Sequence, residues 1–395
     1  MRLYVPDMEL VGTLKFAKEL FGRIPDDDEV VFDFSRMSNF DPLPMLIMGT
    51  TIRNYRQQFP DKTFSVDGIA NKGYAGTMGF FKYISESLGV GKMPGEAHGS
   101  NNYIPITPIK VDKLQQKEIA QGNYLVVGEL IEKEAGRLAR IVDRGNKELH
   151  KLLTYLIREI LRNTPEHAGT NMMWVCGQYW PSFELAEIAI ADEGIGIYNS
   201  ITQNHSHKNY ITDNEKALQW ALKAGISEAF KPSMKQRSRD EWANSGFGLY
   251  MVNEICKHLN GSFCIISYGN YMLIDNHGIR YGETNFKGTA IRMRVPSKKI
   301  TNAQQIISKI ATQGEMEART IRTAFKNAST PSKGLMSDLN IEWLFQFSYT
   351  ISVLEHKKTT TQEYSYSCMV VISFVTAWRR HSKSAFLQIP KWSPL

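Results

Sequence analysis

The sequence predicts an α/β chain of more than one domain. Strand-like and helix-like patterns alternate through the first ninety residues, two long amphipathic helix patterns follow from about residue 113, and β-rich runs interleaved with helices return between 172 and 297. Alternation of the two periodicities argues layered strands and helices, and 395 residues are enough for two or three separate cores.

The elements follow in order. "RLYVP" is a short strand, "MELVGTLKFAKELFG" an amphipathic helix, and "DDDEVVFDFS" a strand opened by acids. "PMLIMGTTIRNYRQQF" predicts a second helix, "KTFSVDG" a strand and "YAGTMGFFKYISES" a third helix, closing a first domain at about residue 88. Residues 89–112 are rich in Gly, Asn and Pro at their start and read as a linker. "VDKLQQKEIAQGNYLVVGELIEKEAGRLARIV" reads as a helix broken near Gly122, and "NKELHKLLTYLIREILRNT" as the next. "MMWVCGQYWPSFELAEIAIADEG" predicts a hairpin turning at "YWPSF". In "ITDNEKALQWALKAG", Thr212 and Glu215 stand at capping-box spacing and Gly225 at a stop position. "GFGLYMVNEICKHLNG" predicts a helix closed by Gly261, and "SFCIISYGNYMLI" and "GTAIRMRVP" finish a second domain, 113–300, as strands. In residues 301–395 a helix over "NAQQIISKIATQGEMEARTIRTAFKN" and a linker at "ASTPSKG" are readable, and the rest has no assignment.

Composition narrows the class. Hydrophobic content of 42% and charged content of 22% are those of a globular protein. The net charge of +7 is concentrated at the end: residues 301–395 hold 11 Lys+Arg against 6 Asp+Glu, and no dense basic cluster argues for nucleic acid. No apolar stretch reaches the roughly 20 residues of a membrane span, and the N-terminus has no apolar signal core. Cys176, Cys256, Cys264 and Cys368 lack ligand spacing and read as buried free thiols in a reducing cytoplasm.

The chemistry-bearing residues come in three short motifs. Glu159 and Asn163 sit one turn apart beside the stripe Leu152, Leu153, Leu156, Ile157, Ile160 and Leu161. "ADEGIGI" places Asp192, Gly194 and Gly196 after an apolar strand, and "NSGFGLYMV" places Gly246 and Gly248 at a helix start. Taken singly, these are more often a solvated border of the stripe, a tight turn and an ordinary loop. Their order is the stronger signal: E-x-x-x-N on a helix, a strand ending in D-x-G-x-G, a long polar segment, G-x-G-L opening a helix, and a last strand beginning "KGTA".

That set, over about residues 115–297, resembles the GHKL ATP-binding fold of gyrase B, heat-shock chaperones, histidine kinases and mismatch-repair ATPases. "LIREILRNTPEHA", "IADEGIGI", "KALQWALKAGIS" and "SGFGLYMV" are most similar to the branch containing bacterial anti-sigma-factor serine kinases. The resemblance implies an α+β sandwich binding ATP and Mg²⁺. Asp192 would accept a hydrogen bond from the adenine amino group, with Gly194 and Gly196 passing close beneath the base and Thr289 bonding nearby. Asn163 would offer its carbonyl oxygen to Mg²⁺, Gly246 and Gly248 their N–H groups to phosphate oxygens, and Glu159 would be the general base. Residues 197–243, with Lys231, Lys235, Arg237 and Arg239, would form a lid over the nucleotide. Residues 1–88 resemble, more faintly, the STAS domain of anti-anti-sigma factors, through "VVFDFSRMSNFDPLPMLIMGTTIRNY" and "YAGTMGFFKYI". In that family a hydroxyl acceptor follows an Asp at the second helix, whereas Asp41 here precedes Pro42, Leu43 and Pro44. The implied role is a docking or regulatory module. Function is expected to be ATP hydrolysis or γ-phosphate transfer, or else a nucleotide-gated switch with little turnover, acting on a protein partner or as a homodimer.

Overall fold

The computed structural model describes residues 1–335, apart from 89, 123, 124, 164–168, 171 and 229–244. In chain order the first elements are β1 (Arg2–Tyr4), α1 (Leu10–Leu20), β2 (Glu29–Asp33), α2 (Pro42–Gln58), β3 (Thr63–Asp67), α3 (Gly73–Thr77) and α4 (Phe80–Ile84). The strands form a parallel sheet ordered β1-β2-β3. The single helix expected over "YAGTMGFFKYISES" is two short ones. Gly79 separates them in the left-handed region at φ 83°, a conformation that ends the first turn.

The expected linker does not hold throughout, because β4 (Tyr103–Lys110) lies within it. After it come α5 (Val111–Ala120), α6 (Val127–Val142), α7 (Lys147–Asn163), β5 (Met172–Trp180), β6 (Leu185–Asp192), α8 (Gly196–Ile201) and α9 (Asn214–Ala221). The chain continues through α10 (Gly248–His258), β7 (Ser262–Ser267), β8 (Asn270–Asp275), β9 (Gly278–Glu283) and β10 (Thr289–Pro296). It reaches α11 (Ala303–Thr320) and α12 (Thr330–Lys333), the latter where a linker was expected. Seven strands form an antiparallel sheet ordered β4-β5-β6-β10-β7-β8-β9. β4 and β9 are its edges, and an edge strand tolerates Pro105 and Pro108 because half its ladder faces outward.

The seven-stranded sheet is covered on both faces, which is why β6 is buried along almost its whole length. Ile188 and Ile190 pack with α6, α7, α10 and α11 in one core. Ala189 and Ala191 face the other way, into a core shared with α1 and α2. Their small side chains let α2 lie close, and α2 is buried nearly all round, as a helix between two sheets must be. Both sheets, with α11 and α12, belong to one unit, Met1–Met336. The expected 301–395 region is thus divided: its first part packs on the helical core, and 336–395 lies outside the described residues.

Two local readings are corrected. The N-cap of α9 is Asp213, whose Oδ1 accepts the Lys216 N–H at 2.8 Å, while Thr212 only donates to Asp213. The left-handed residue after α10 is Asn260 at φ 54°; Gly261 serves instead to let the chain pass Arg294, whose carbonyl oxygen would be 2.0 Å from an added Cβ. Cys176, Cys256 and Cys264 are buried free thiols as expected, and Cys368 lies outside the described residues. Among the described residues no helix is long and apolar enough to cross a membrane.

Candidate functional site

The end of β6, the start of α10 and the last turn of α7 converge on one cleft. Asp192 is the last residue of β6 and pairs in register with Thr289 at the start of β10. Gly248 opens α10, and a Cβ there would lie 3.1 Å from Glu159 Oε2, so the missing side chain lets α10 close on α7. Asn163 ends α7. The cleft encloses about 800 Å³, mouth included. Its apolar lining is mainly isoleucine: Ile160, Ile190, Ile197, Ile201, Ile226 and Ile291. Asn163, Asp192, Gly196, Gly246, Gly248 and Thr289 all line it. Residues separated by more than a hundred positions are therefore brought to one space.

Asp192 is the electrostatic centre. Burial pushes its carboxyl up to about 6, against backbone hydrogen bonds from Gly194 and Thr289 that favour the charged form. The Gly194 N–H donates to Oδ1 at 2.8 Å, which is the role the structure gives Gly194. Asn163 Nδ2 is buried without a hydrogen-bond partner. A half-turn of the carboxamide would present its oxygen instead, so the residue suits an oxygen-seeking cation or a ligand acceptor.

The glycines are needed by geometry. Gly196 has φ 76°, and an added Cβ would fall 2.3 Å from the Tyr268 ring and 2.9 Å from Ser267 Oγ. Gly246 has φ 71°, with its Cβ position 2.4 Å from the Ile226 carbonyl oxygen. Both hold the cleft walls in turns that other residues rarely adopt.

Glu159 stands against Gly248, just behind the cleft wall. It is outside the lining and almost fully buried, at 2% exposure. Its Oε1 accepts from Arg158 Nε at 3.1 Å and Nη2 at 2.8 Å, and its Oε2 accepts from Ser332 Oγ at 3.3 Å. Arg158 also donates to Glu132 at 3.2 Å and to the Pro331 carbonyl at 2.6 Å, while Tyr155 donates to the Ser332 carbonyl at 2.9 Å. Both carboxylate oxygens therefore already have partners within the protein. Here Glu159 ties residues 329–335 to α7.

Sequence reasoning missed Ser200 and Glu228, which also line the cleft and bond each other at 2.5 Å. It also missed Arg158 and Ser332; only the adjacency of Arg158 to Glu159 in "LIREIL" hinted at a pair. Lys231, Lys235, Arg237 and Arg239 lie outside the described residues.

Searches against family models, curated proteins and solved structures find no match to this chain. The chemistry of the cleft is what supports a functional reading.

Proposed function

We propose that this chain is a Mg²⁺-dependent ATP-binding signalling protein in which occupancy of the cleft gates a contact with a protein partner or a second copy. The observation that carries the reading is Asp192, a buried carboxylate at the end of an isoleucine-lined cleft. In this reading a purine lies between the isoleucines and its exocyclic amine donates to Asp192. Adenine has that donor, whereas guanine offers a carbonyl at the same position and would set oxygen against carboxylate. Gly246 and Gly248 stand where α10 begins, and the N–H groups at the N-terminus of an eleven-residue helix suit phosphate oxygens. Asn163 is the residue that would hold Mg²⁺, which takes few protein oxygens beside phosphate and water. When bound, the ion supplies positive charge against the phosphates. The resemblance to GHKL proteins agrees with each assignment, and the buried thiols suit a reducing cytoplasm.

A second reading, hydrolysis or γ-phosphate transfer by an ATPase or serine/threonine kinase, requires Glu159 as base. The structure favours gating over turnover, because both oxygens of Glu159 are engaged by Arg158 and Ser332. Calorimetric titration with ATP and GTP, with and without Mg²⁺, tests the first reading. ATP is expected to bind with Mg²⁺ dependence and GTP far more weakly; no ATP binding, or equal GTP binding, would exclude it. Phosphate release should be slow and insensitive to Glu159→Gln, and a release rate that falls about 10²–10⁴-fold in that variant would restore the base.

A further inference from the structure

On the opposite face of the sheet, β10 carries two arginines with different surroundings. Arg294 stands across from Glu187 on β6 and Ser262 on β7. It donates to Glu187, and its Nη2 donates to Asp41 at 2.8 Å. Arg292, two residues earlier on the same face, stands across from Ala189 and Cys264, neither of which can balance a charge. It is 4% exposed, and its Nε is buried without a hydrogen-bond partner. Asp41 is the carboxylate that feels its charge, but Asp41 gives its oxygen to Arg294. Asp275 is likewise taken, by Arg280.

A guanidinium does not deprotonate, so burial with no acceptor hydrogen-bonded to its Nε is a standing penalty, and Glu9, the remaining carboxylate of the lining, makes no hydrogen bond to it. Arg292 lines a second cleft of about 1060 Å³, mouth included, between α1 and strands β7, β8 and β10. Arg280 and Arg294 line it too, each already holding a carboxylate. The apolar neighbours of Arg292 leave its planar fork facing the cleft, a donor geometry matched by two oxygens of one acceptor group.

We infer that this second cleft is a binding site for a small oxyanion-bearing molecule, whose phosphate or carboxylate group is held by Arg292. The ligand would sit between the N-terminal layer and the sheet, on the face opposite the Asp192 cleft, with no lining residue in common and independent of what that cleft binds.

The test uses the full chain in chloride buffer of constant ionic strength. Thermal unfolding is followed while inorganic phosphate, or in a separate arm citrate, is titrated in. One of them should stabilise the wild type saturably, with the unfolding constant falling about 100-fold at a hundred times its dissociation constant. Arg292→Met keeps the apolar stem and should lose that response. The arm that responds identifies the oxyanion. In parallel, the Arg292 Nε–H resonance of ¹⁵N-arginine-labelled protein, assigned by its loss in Arg292→Lys, should shift with the same anion. This second measurement decides the matter if Arg292→Met does not fold. Equal stabilisation of wild type and Arg292→Met, or an Nε–H resonance indifferent to both anions, would overturn the site.

Discussion

Asp192 allows the adenine reading to be tested by pH. Its carboxyl is pushed from an ordinary 3.8 to about 6, chiefly by burial, so the fold favours the protonated form. The sign follows: the associated stability is fully present below about 3.8 and is lost as pH rises through about 6. Keeping the carboxylate ionised therefore burdens the empty protein by about 3 kcal/mol at pH 7.5. Asp192→Asn should therefore be more stable than wild type above pH 6, by up to that amount, and lose the advantage in acid. Binding should behave oppositely, because the amine of adenine needs the ionised acceptor. Adenosine is the ligand to use, since it has no phosphate to titrate in this range. Between pH 8 and pH 5 its affinity for wild type should fall about tenfold, as only about one carboxylate in eleven remains ionised. In Asp192→Asn it should be weaker at pH 8 by about 1.5–3 kcal/mol and flat with pH. Calorimetry over this range decides. A flat wild-type profile, or the same slope in the variant, would show that Asp192 does not contact the base.

Other consequences concern the framework. Glu159→Ala strips Arg158, which has no exposed surface, of its two-bond partner, and should lower stability by about 3–5 kcal/mol in urea unfolding. A change below 1 kcal/mol would mean that the pair is not the tie it resembles. Gly196→Ala should cost at least about 1–2 kcal/mol from its left-handed backbone alone and more from Tyr268, and should weaken adenosine binding; an unchanged melting temperature would contradict the geometry. Deleting residues 1–88 uncovers the sheet face of Cys176, Ala189, Ala191, Ile266 and Ala290. It removes Leu43, Met45, Leu46, Ile47, Met48 and Ile52, worth on the order of 10 kcal/mol of gross burial. The truncated chain is expected to scatter light as aggregates, and a folded, monodisperse product would show that the sheet does not need this cover.

The parts of the fold legible in the sequence are those whose periodicity is enforced by burial. The hairpin of β5 and β6 reads as two apolar runs because both faces are covered, and α7 reads as a helix because one stripe meets the core. The edges were not legible. β4 contains two prolines and β9 is mostly exposed, so neither carries an apolar alternation. The cleft was legible as motif order, since glycine at positive φ and a carboxylate ending a strand leave a sequence trace. Glu159 shows where that stops: the same residue at the same spacing serves as a base or as half of an ion pair. The structure adds a bond from Ser332, 173 residues away, and no local pattern reports it.

The N-terminal layer is joined to the sheet at points that bear on the cleft. Glu193, the neighbour of Asp192, is ion-paired with Arg53 of α2. The Arg53 guanidinium lies over the Tyr83 ring at 4.6 Å and the Trp174 ring at 5.6 Å, so it is fixed by α4 and β5 together. An exposed ion pair contributes little by itself, but the Arg53 end of this one is positioned by two aromatic rings beside the turn that carries the site's carboxylate. At the start of the same helix, the Leu43 N–H donates to Glu187 at 3.3 Å and Asp41 accepts from Arg294. The position where a hydroxyl acceptor was sought is thus occupied by a joint: Asp41 turns its carboxylate to β10, and Pro42 fixes the first turn of α2 behind it. A displacement of the Asp192 turn on nucleotide binding would pull on Arg53, and through a helix packed against both sheets it would reach the parallel sheet. In the gating reading, that is the physical route by which an occupied cleft is felt on the far side of the molecule.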